Sequence, residues 1–317
     1  QSWAVAGGLL AVLLFAGNFL LGRRAAAIGI SSYDLVTLRF LLAGLCFLPF
    51  AWRRWRPLAT FGGIGLGRGL LLAALGGVPY FLAIAAAMVF APAGHGAVLN
   101  PGAVSLGAIA LAWFAGDRLG PFSVVGVPMM LAGLLLVGGD GLAGRADAPQ
   151  AWIGDILLLL SGLGWATYGL LMRRWRIDAV SATTLISVVS LVAWVLPWFV
   201  LTGGATLAPV PWQELLLQAL YLGLAAGGVA VVLYSRAIIL LGVARAALFP
   251  PLVPLIGVSL AALLLGEPVT AWQLAGMAVT VAGMLLAALP RRRPRGDGPR
   301  QPRTLSRSGS PSARSPR

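Results

Sequence analysis

Apolar residues run through this chain in long continuous stretches that short polar segments separate. The stretches lack the apolar–polar alternation over about ten residues that is typical of a membrane β-barrel strand. Most are about 20 residues long, which is the length that a helix needs to cross the hydrocarbon core of a bilayer. We therefore predict an all-α polytopic membrane protein. Its ten predicted transmembrane helices are 3–28, 32–52, 66–90, 94–115, 120–139, 152–172, 179–202, 212–238, 243–265 and 270–289.

The chain repeats its own pattern at an offset of 150 residues. Ten positions are identical when 91–137 is aligned with 241–287, and most other positions are apolar in both copies. An internal repeat in an apolar chain is a known sign of a secondary transporter. Five spans per copy is an odd number, so the second copy must enter the membrane upside down. We predict two inverted five-helix repeats at 1–139 and 152–289, with an external linker at 140–151.

Composition indicates that little of the chain lies outside the bilayer. Hydrophobic residues make up 59% of the chain and charged residues only 10%, with a mean hydropathy of +0.91, whereas soluble domains carry about 25% charged residues. All 23 basic residues are arginines, and nine of them lie in 290–317, which helps to raise the net charge to +14. This segment has almost nothing to bury, so we expect a disordered basic tail held near anionic lipid, with no nucleic-acid partner.

Arginine placement predicts the orientation, because short cytoplasmic loops collect basic residues. With the N-terminus inside, most loop arginines fall on the cytoplasmic side, whereas Arg23 and Arg24, near the outer end of the first helix, do not fit. The cytoplasmic set is Arg53, Arg54, Arg56, Arg118, Arg173, Arg174 and Arg176. We predict a protein of the cell (inner) membrane with both termini in the cytoplasm.

Two segments carry a resemblance to a known family. The first reads YDLVTLRFLLAG from Tyr33, and the second reads GVARAALFPPLVPLIGVSLAALLLGEPVTAWQLAGMAVTVAGMLL from Gly242. The second joins a proline-bearing helix, a Gly-Glu pair, Thr270, Gln273 and a last helix with spaced glycines. This order, together with its duplication, resembles EamA-type transporters of the drug/metabolite transporter superfamily. The resemblance covers 1–289 and implies ten helices in two inverted units, a central cavity and transport of a small metabolite.

Polar and aromatic residues at mid-membrane depth are the candidates for lining such a cavity, because polar groups are costly in lipid and face the bundle interior. Asn18 in the first repeat matches the neighbourhood of Trp165 and Tyr168 in the second. Helix–helix hydrogen bonding by Asn18 and interfacial placement of the aromatic residues fit equally well. The substrate-binding candidates are Asn18, Tyr80, His95, Asn100, Trp165, Tyr168, Tyr234 and Arg245.

Prolines at equivalent positions predict local loosening of two helices. Proline removes a backbone donor, and transporters place substrate groups at such interruptions. We expect helix kinks at Pro101, Pro250 and Pro251, in the helices that begin near His95 and Arg245. Arg245 then suits a carboxylate or phosphate, while a snorkelling arginine and a packed histidine are the alternatives.

Few charged residues fall inside the predicted spans. Arg39 lies a third of the way into the second helix, where an internal hydrogen bond that fixes packing is favoured over a salt bridge or gate. Asp117 and Glu267 precede new helices, and Asp155 falls in the first turn of another, so we interpret them as structural acids at helix N-termini. Without a mid-membrane carboxylate, only His95 offers a titratable group for proton coupling, and coupling stays undecided.

No metal site, cofactor or enzymatic centre follows from the residues. A single histidine and a single cysteine, Cys46, exclude a His-rich metal site and a disulfide, and the chain has no Gly-x-Ser-x-Gly motif. We expect a secondary transporter that exports a small metabolite, such as an amino acid, by alternating access. Two alternatives stay open: an exporter of cationic or lipophilic drugs, and a membrane partner that transports nothing. Glycine rows in the fifth and tenth helices allow either a homodimer or packing within one chain.

Overall fold

The computed structural model describes residues 2–55, 58–116, 120–142 and 150–289, and the regular secondary structure of these residues is helical. The α-helices are α1 (Ser2–Ala27), α2 (Ser32–Arg54), α3 (Leu66–Gly76), α4 (Val78–Phe90), α5 (Ala93–Phe114), α6 (Pro121–Leu142), α7 (Ala151–Trp175), α8 (Ala179–Ser190), α9 (Leu196–Thr202), α10 (Trp212–Gln218), α11 (Ala230–Leu241), α12 (Val243–Ala246), α13 (Leu252–Leu265) and α14 (Ala271–Ala288). A 3-10 helix spans Leu58–Gly63, and π-helical segments span Leu191–Val195 and Ala219–Val229. Asp117, Arg118, Arg56, most of the 140–151 linker and the 290–317 tail lie outside the described residues.

Within the described ranges, nine helical segments are long and apolar enough to cross a membrane. A tenth apolar helix, Leu252–Leu265, is shorter. Two of the nine, Ala179–Thr202 and Trp212–Leu241, contain the π-helical segments and still continue as one helical rod. The molecule is therefore an all-helical polytopic membrane protein, as the hydrophobic pattern predicts.

Interruptions occur in the third span and before the short helix α13. The third span is broken at Gly77, where α3 ends and α4 begins, and an added Cβ would collide with the carbonyl oxygen of Ala73. The predicted helix 243–265 is also divided: α12 ends at Ala246, and turns that include Pro250 and Pro251 precede α13. By contrast, α5 continues through Pro101, so this proline does not break its helix, and a kink there stays a prediction.

Glycines bring α6 and α14 into close antiparallel contact. Gly126 faces Gly283 and Gly133 faces Gly276, so residue numbers rise on one helix as they fall on the other. An added Cβ at any of these positions would lie 2.6–2.7 Å from the facing glycine's carbonyl oxygen, which leaves no room for a larger residue. The glycine rows of the fifth and tenth predicted helices therefore pack within one chain.

Two further pairs of helices that correspond in the sequence repeat also run antiparallel. On α2, Asp34 lies near Trp198 of α9, while Gly44 lies near Leu191, which directly follows α8. At the start of α5, the backbone contacts Glu267, which follows the end of α13, and Ala97 packs on Gly257 farther along. These contacts place the polar groups described next inside a bundle to which both halves contribute.

Candidate functional site

The guanidinium group of Arg39 is buried between α1, α2 and α4. Its Nη1 donates a hydrogen bond to Asn18 Oδ1 at 3.2 Å, and its Cζ lies 3.5 Å from the ring centroid of Phe81. Among the described residues, no carboxylate forms an ion pair with Arg39. Because a guanidinium carries five N–H donors, most of its hydrogen-bonding capacity is not used by these protein partners.

Aromatic rings from α4 and α7 form one wall beside this cation. Tyr80 stacks on Trp165 with 4.6 Å between centroids, and Trp165 contacts Tyr168 at 4.9 Å. Phe81, which carries the Arg39 contact, meets Tyr80 edge-to-face at 4.7 Å. The aromatic wall and the guanidinium group are thus joined through neighbouring residues of one helix.

A chain of hydrogen bonds links the same wall to α5. Asn100 Nδ2 donates to Ser161 Oγ at 2.9 Å, and the Ser161 hydroxyl donates to the carbonyl oxygen of Leu158 at 2.9 Å. The Tyr80 hydroxyl donates to Asn100 Oδ1 over a longer 3.4 Å. Tyr80 therefore joins the aromatic wall to a buried amide, which fixes its ring orientation.

We call these residues the central cluster, and all of them lie deep in the bundle. Each is at least seven residues, or about 10 Å, from either end of its span. The break at Gly77 is one turn away from Tyr80, so irregular backbone lies beside the cluster, as it does at transporter binding sites. The members are Asn18, Arg39, Tyr80, Phe81, Asn100, Ser161, Trp165 and Tyr168.

His95 and Asp155 form a separate buried pair near one end of α5 and α7. His95 Nδ1 lies 2.9 Å from Asp155 Oδ1, and the two side chains are 1% and 7% exposed. Asp155 Oδ2 has no hydrogen-bond partner among the described residues. Asp155 does lie near the start of α7, but its side chain pairs with His95 of α5 instead of capping its own helix.

Glu267 also acts on a different helix from the one that the sequence indicated. Its two oxygens accept hydrogen bonds from the backbone amides of Ala93 at 3.1 Å and Gly94 at 3.3 Å, at the start of α5. Arg23 Nε lies 3.4 Å from the same carboxylate. The following helix, α14, is capped instead by Thr270, which accepts from the amide of Gln273. We call the contact of Arg23, Glu267 and the two amides the Glu267 seal.

The two arginines that did not fit the orientation rule both have partners at this end of the bundle. Arg23 donates to the carbonyl oxygen of Met88 at 3.0 Å besides its contact with Glu267, and Arg24 forms an ion pair with Glu214. These contacts hold the end of α1 to the ends of α4 and α10. They provide partners for two arginines that the orientation rule alone does not explain.

Tyr234 and Arg245 lie apart from the central cluster. The Tyr234 ring meets Phe15 edge-on at 6.3 Å, and its hydroxyl lies 3.5 Å from the carbonyl oxygen of Ala246. Arg245 is exposed, and the described residues provide its side chain with no hydrogen-bond or ion-pair partner. Five candidates therefore meet in one cluster, whereas His95, Tyr234 and Arg245 occupy other places.

Three members of the cluster were not among the candidates. Arg39 gave a usable signal, a charge at a costly depth, but its contact with Phe81 depends on how α2 packs on α4. Phe81 and Ser161 gave none, because an aromatic residue and a serine are ordinary inside a span. Within the described residues, no group of three or more His, Cys, Asp or Glu side chains is placed to hold a metal ion.

Comparison with known proteins agrees with the resemblance seen in the sequence. The EamA-like transporter family matches this chain twice, at residues 2–139 and 152–289. Uncharacterized protein PA1977 of Pseudomonas aeruginosa is 31% identical over 288 residues, which cover 89% of this chain and 93% of that protein. A crystal structure with 23% identity superposes with a TM-score of 0.55, covering 94% of this chain and 99% of its own, and shows the shared fold. The chain therefore belongs to the EamA-like transporter family, within the drug/metabolite transporter superfamily.

Proposed function

We propose that the protein is a secondary transporter that exports a small anionic or zwitterionic metabolite, such as an amino acid, through the central cluster. The observation that carries this proposal is the buried guanidinium of Arg39, which has no acidic partner among the described residues. An arginine at the centre of a membrane helix costs about 2.5–3.5 kcal/mol on insertion scales. A substrate carboxylate or phosphate would offset that cost and take up the unused donors in a bidentate geometry.

The neighbours of Arg39 suit the remainder of such a substrate. The stacked rings of Trp165 and Tyr80 offer an apolar surface, and Asn18 offers an amide group. A zwitterion with an apolar side chain would find a partner for each of its parts here. A purely lipophilic cation would meet Arg39 as a like charge, which disfavours the drug-exporter alternative at this site.

Alternating access requires two halves that can exchange conformations, and the antiparallel helix pairs support this requirement. Three such pairs join elements at equivalent positions of the repeat: α6 with α14, α2 with the span containing α8 and α9, and α5 with α13. Ten spans arranged as two inverted units of five would produce this sense of packing. Inverted units are the arrangement from which inward-open and outward-open states of one protein arise.

The proposed orientation places both termini in the cytoplasm and the Glu267 seal on the outer side of the cell membrane. Reporter fusions test it: a fusion at Ala208 should report the outside, and one at Arg174 the cytoplasm. The opposite result at either site would contradict the inverted-repeat argument, because one misplaced span changes the side of every later loop.

Flux measurements on the whole chain in liposomes test the substrate class. Metabolites that accumulate in the medium of overexpressing cells, identified by mass spectrometry, supply the candidate substrates. Arg39→Gln preserves much of the side chain's length but removes the charge, so we expect uptake of an anionic substrate into the liposomes to fall at least tenfold. Arg236→Gln, at an exposed arginine, is the matched control and should stay within about twofold of wild type, since surface charges contribute little.

Three outcomes would overturn the proposal. Equal loss in the two variants would show that Arg39 has no special role. Accumulation of lipophilic cations alone would favour the drug-exporter alternative. Absence of any saturable flux from properly folded protein would favour a membrane partner that transports nothing.

A further inference from the structure

A long apolar groove lies between α5, α6 and α7, outside the central cluster. Its volume is about 840 Å³, within the usual range for small-molecule sites. It follows α5 from Leu99 to Phe114, which at 1.5 Å per residue is about 22 Å. Several lining side chains, including Leu135 and Ile156, are exposed at the protein surface, so the groove opens toward lipid.

Asp155 is the single charged residue among the described residues that line this groove. Its Oδ1 contacts His95, while Oδ2 is buried and has no partner in the described part of the chain. A carboxylate oxygen left without a hydrogen bond in an apolar setting is costly. A ligand that both donates a hydrogen bond and carries a positive charge offsets that cost most fully, because charge-assisted hydrogen bonds are the stronger ones.

The surface of α6 that faces this carboxylate carries no side chain, because two glycines lie there. An added Cβ at Gly138 would lie 3.7 Å from Asp155 Oδ2, and an added Cβ at Gly139 would meet nothing within 4 Å. Since Oδ2 itself exposes less than 1 Å², a head group must part α6 from α7 locally. Two glycines at this point mean that no side chain of α6 has to move.

We propose that the groove binds a long-chain primary alkylammonium from the lipid phase. The ammonium donates a hydrogen bond to Asp155 Oδ2, and the alkyl chain lies along α5 toward Phe114. Asp155 is the fifth residue of α7, about 6 Å from its start, so the head group lies near one membrane interface and the tail points to the bilayer centre. An amphiphile in a bilayer has this same orientation.

The groove's chemistry selects this occupant over other lipids. A phospholipid carries a phosphate, and no basic side chain is among the described residues that line the groove. A fatty acid would bring a second carboxylate beside Asp155. A quaternary ammonium has no N–H to donate. The site therefore differs from the central cluster in the charge of its ligand and in the direction from which the ligand arrives.

Equilibrium binding of radiolabelled dodecylammonium to the full-length protein in phosphatidylcholine nanodiscs tests the proposal, with empty nanodiscs subtracted. We expect saturable binding that unlabelled dodecylammonium displaces, that dodecyltrimethylammonium displaces less well, and that dodecanol and dodecanoate barely affect. Asp155→Asn should weaken binding at least tenfold. Arg39→Gln should leave it unchanged, which separates this site from the proposed transport site.

A second pair of variants covers the case in which Asp155→Asn does not fold. Ala110→Trp fills the apolar part of the groove without touching Asp155, and we expect a similar loss of binding. Ala275→Trp, on an exposed face of α14, is the matched control and should bind like wild type. The proposal is overturned if dodecanol displaces the ligand as well as dodecylammonium does, if folded Asp155→Asn binds normally, or if the two tryptophan variants bind equally.

Discussion

Replacing Glu267 with glutamine tests whether one carboxylate holds the two halves of the bundle together at one end. Glu267 accepts hydrogen bonds from the amides of Ala93 and Gly94 and lies 3.4 Å from Arg23. Glutamine has nearly the same shape and retains one acceptor oxygen. Glu267→Gln therefore removes the charge at the start of α5 with little change in packing.

The expected magnitude follows from the number and kind of bonds. A hydrogen bond to a charged group contributes about 1.5–3 kcal/mol and a neutral one about 0.5–1.5 kcal/mol. Glutamine keeps one of the two bonds in the weaker neutral form and loses the other, so the change amounts to at least about 2 kcal/mol. The contact with Arg23 adds little, because the two side chains are 31% and 14% exposed and solvent screens such pairs. If the bonds form only when this end is closed, a change of 2 kcal/mol raises the open population about 30-fold.

Thiol labelling measures that population. Ser161→Cys, in a Cys46→Ala background, places a nearly isosteric reporter in the central cluster below the seal. A membrane-impermeant maleimide added outside intact cells should then react about 30-fold faster in Glu267→Gln. Glu214→Gln breaks the exposed pair with Arg24, which makes no contact with the start of α5, and should change the rate little. An unchanged or slower rate, or an equal effect of both substitutions, would refute the role assigned to the seal.

Two further predictions concern stability, and thermal unfolding in detergent checks both. Gly133→Ala places a Cβ 2.6 Å from the carbonyl oxygen of Gly276, so we expect overpacking to lower the free energy of unfolding by about 1–3 kcal/mol. The control Gly169→Ala adds a Cβ with nothing within 4 Å and should be neutral or stabilising. Equal effects of the two substitutions would contradict the close packing of α6 on α14. Partial burial alone would raise the pKa of Asp178, but hydrogen bonds from the hydroxyl and amide of Ser181 outweigh it and lower that pKa. The carboxylate's contribution to the free energy of unfolding is thus present above its unfolded pKa of about 3.9 and is lost as pH falls through the lower folded value. Asp178→Ala should therefore cost about 1 kcal/mol of stability at pH 7 and less at pH 3. A stability difference between wild type and variant that grows in acid would contradict this.

The spans were predictable because their signal is local: about 20 apolar residues in a row suffice, whatever the helix packs against. The interruptions were only partly predictable. Pro250 and Pro251 indicate the turns before α13, because proline has no backbone N–H to continue a helix. Gly77 was not noticed, since glycine is common in this chain and its effect depends on close contact with the turn before it. Pro101, with the same chemistry as Pro251, lies within a continuous helix.

Predictions about the site failed where the partner is distant in the sequence. Asp155 and Glu267 were correctly noticed as acids near helix starts, but a helix start along the chain was assumed to be the partner. Their partners lie 60 and 174 residues away, and only the packing of the halves decides these contacts. Arg39 shows the same limit: its depth marked it as costly, whereas its position over Phe81 depends on α4.

The long separation between Glu267 and the start of α5 has a consequence for synthesis. Ala93 leaves the ribosome 174 residues before the carboxylate that accepts its hydrogen bond. At about 5–20 residues per second, the delay is roughly 9–35 s. During that time α5 can be inserted while its first amides face water or lipid phosphates instead of Glu267. The first half of a nascent chain therefore waits in the membrane with one end unfinished, and the loop after α13 completes it.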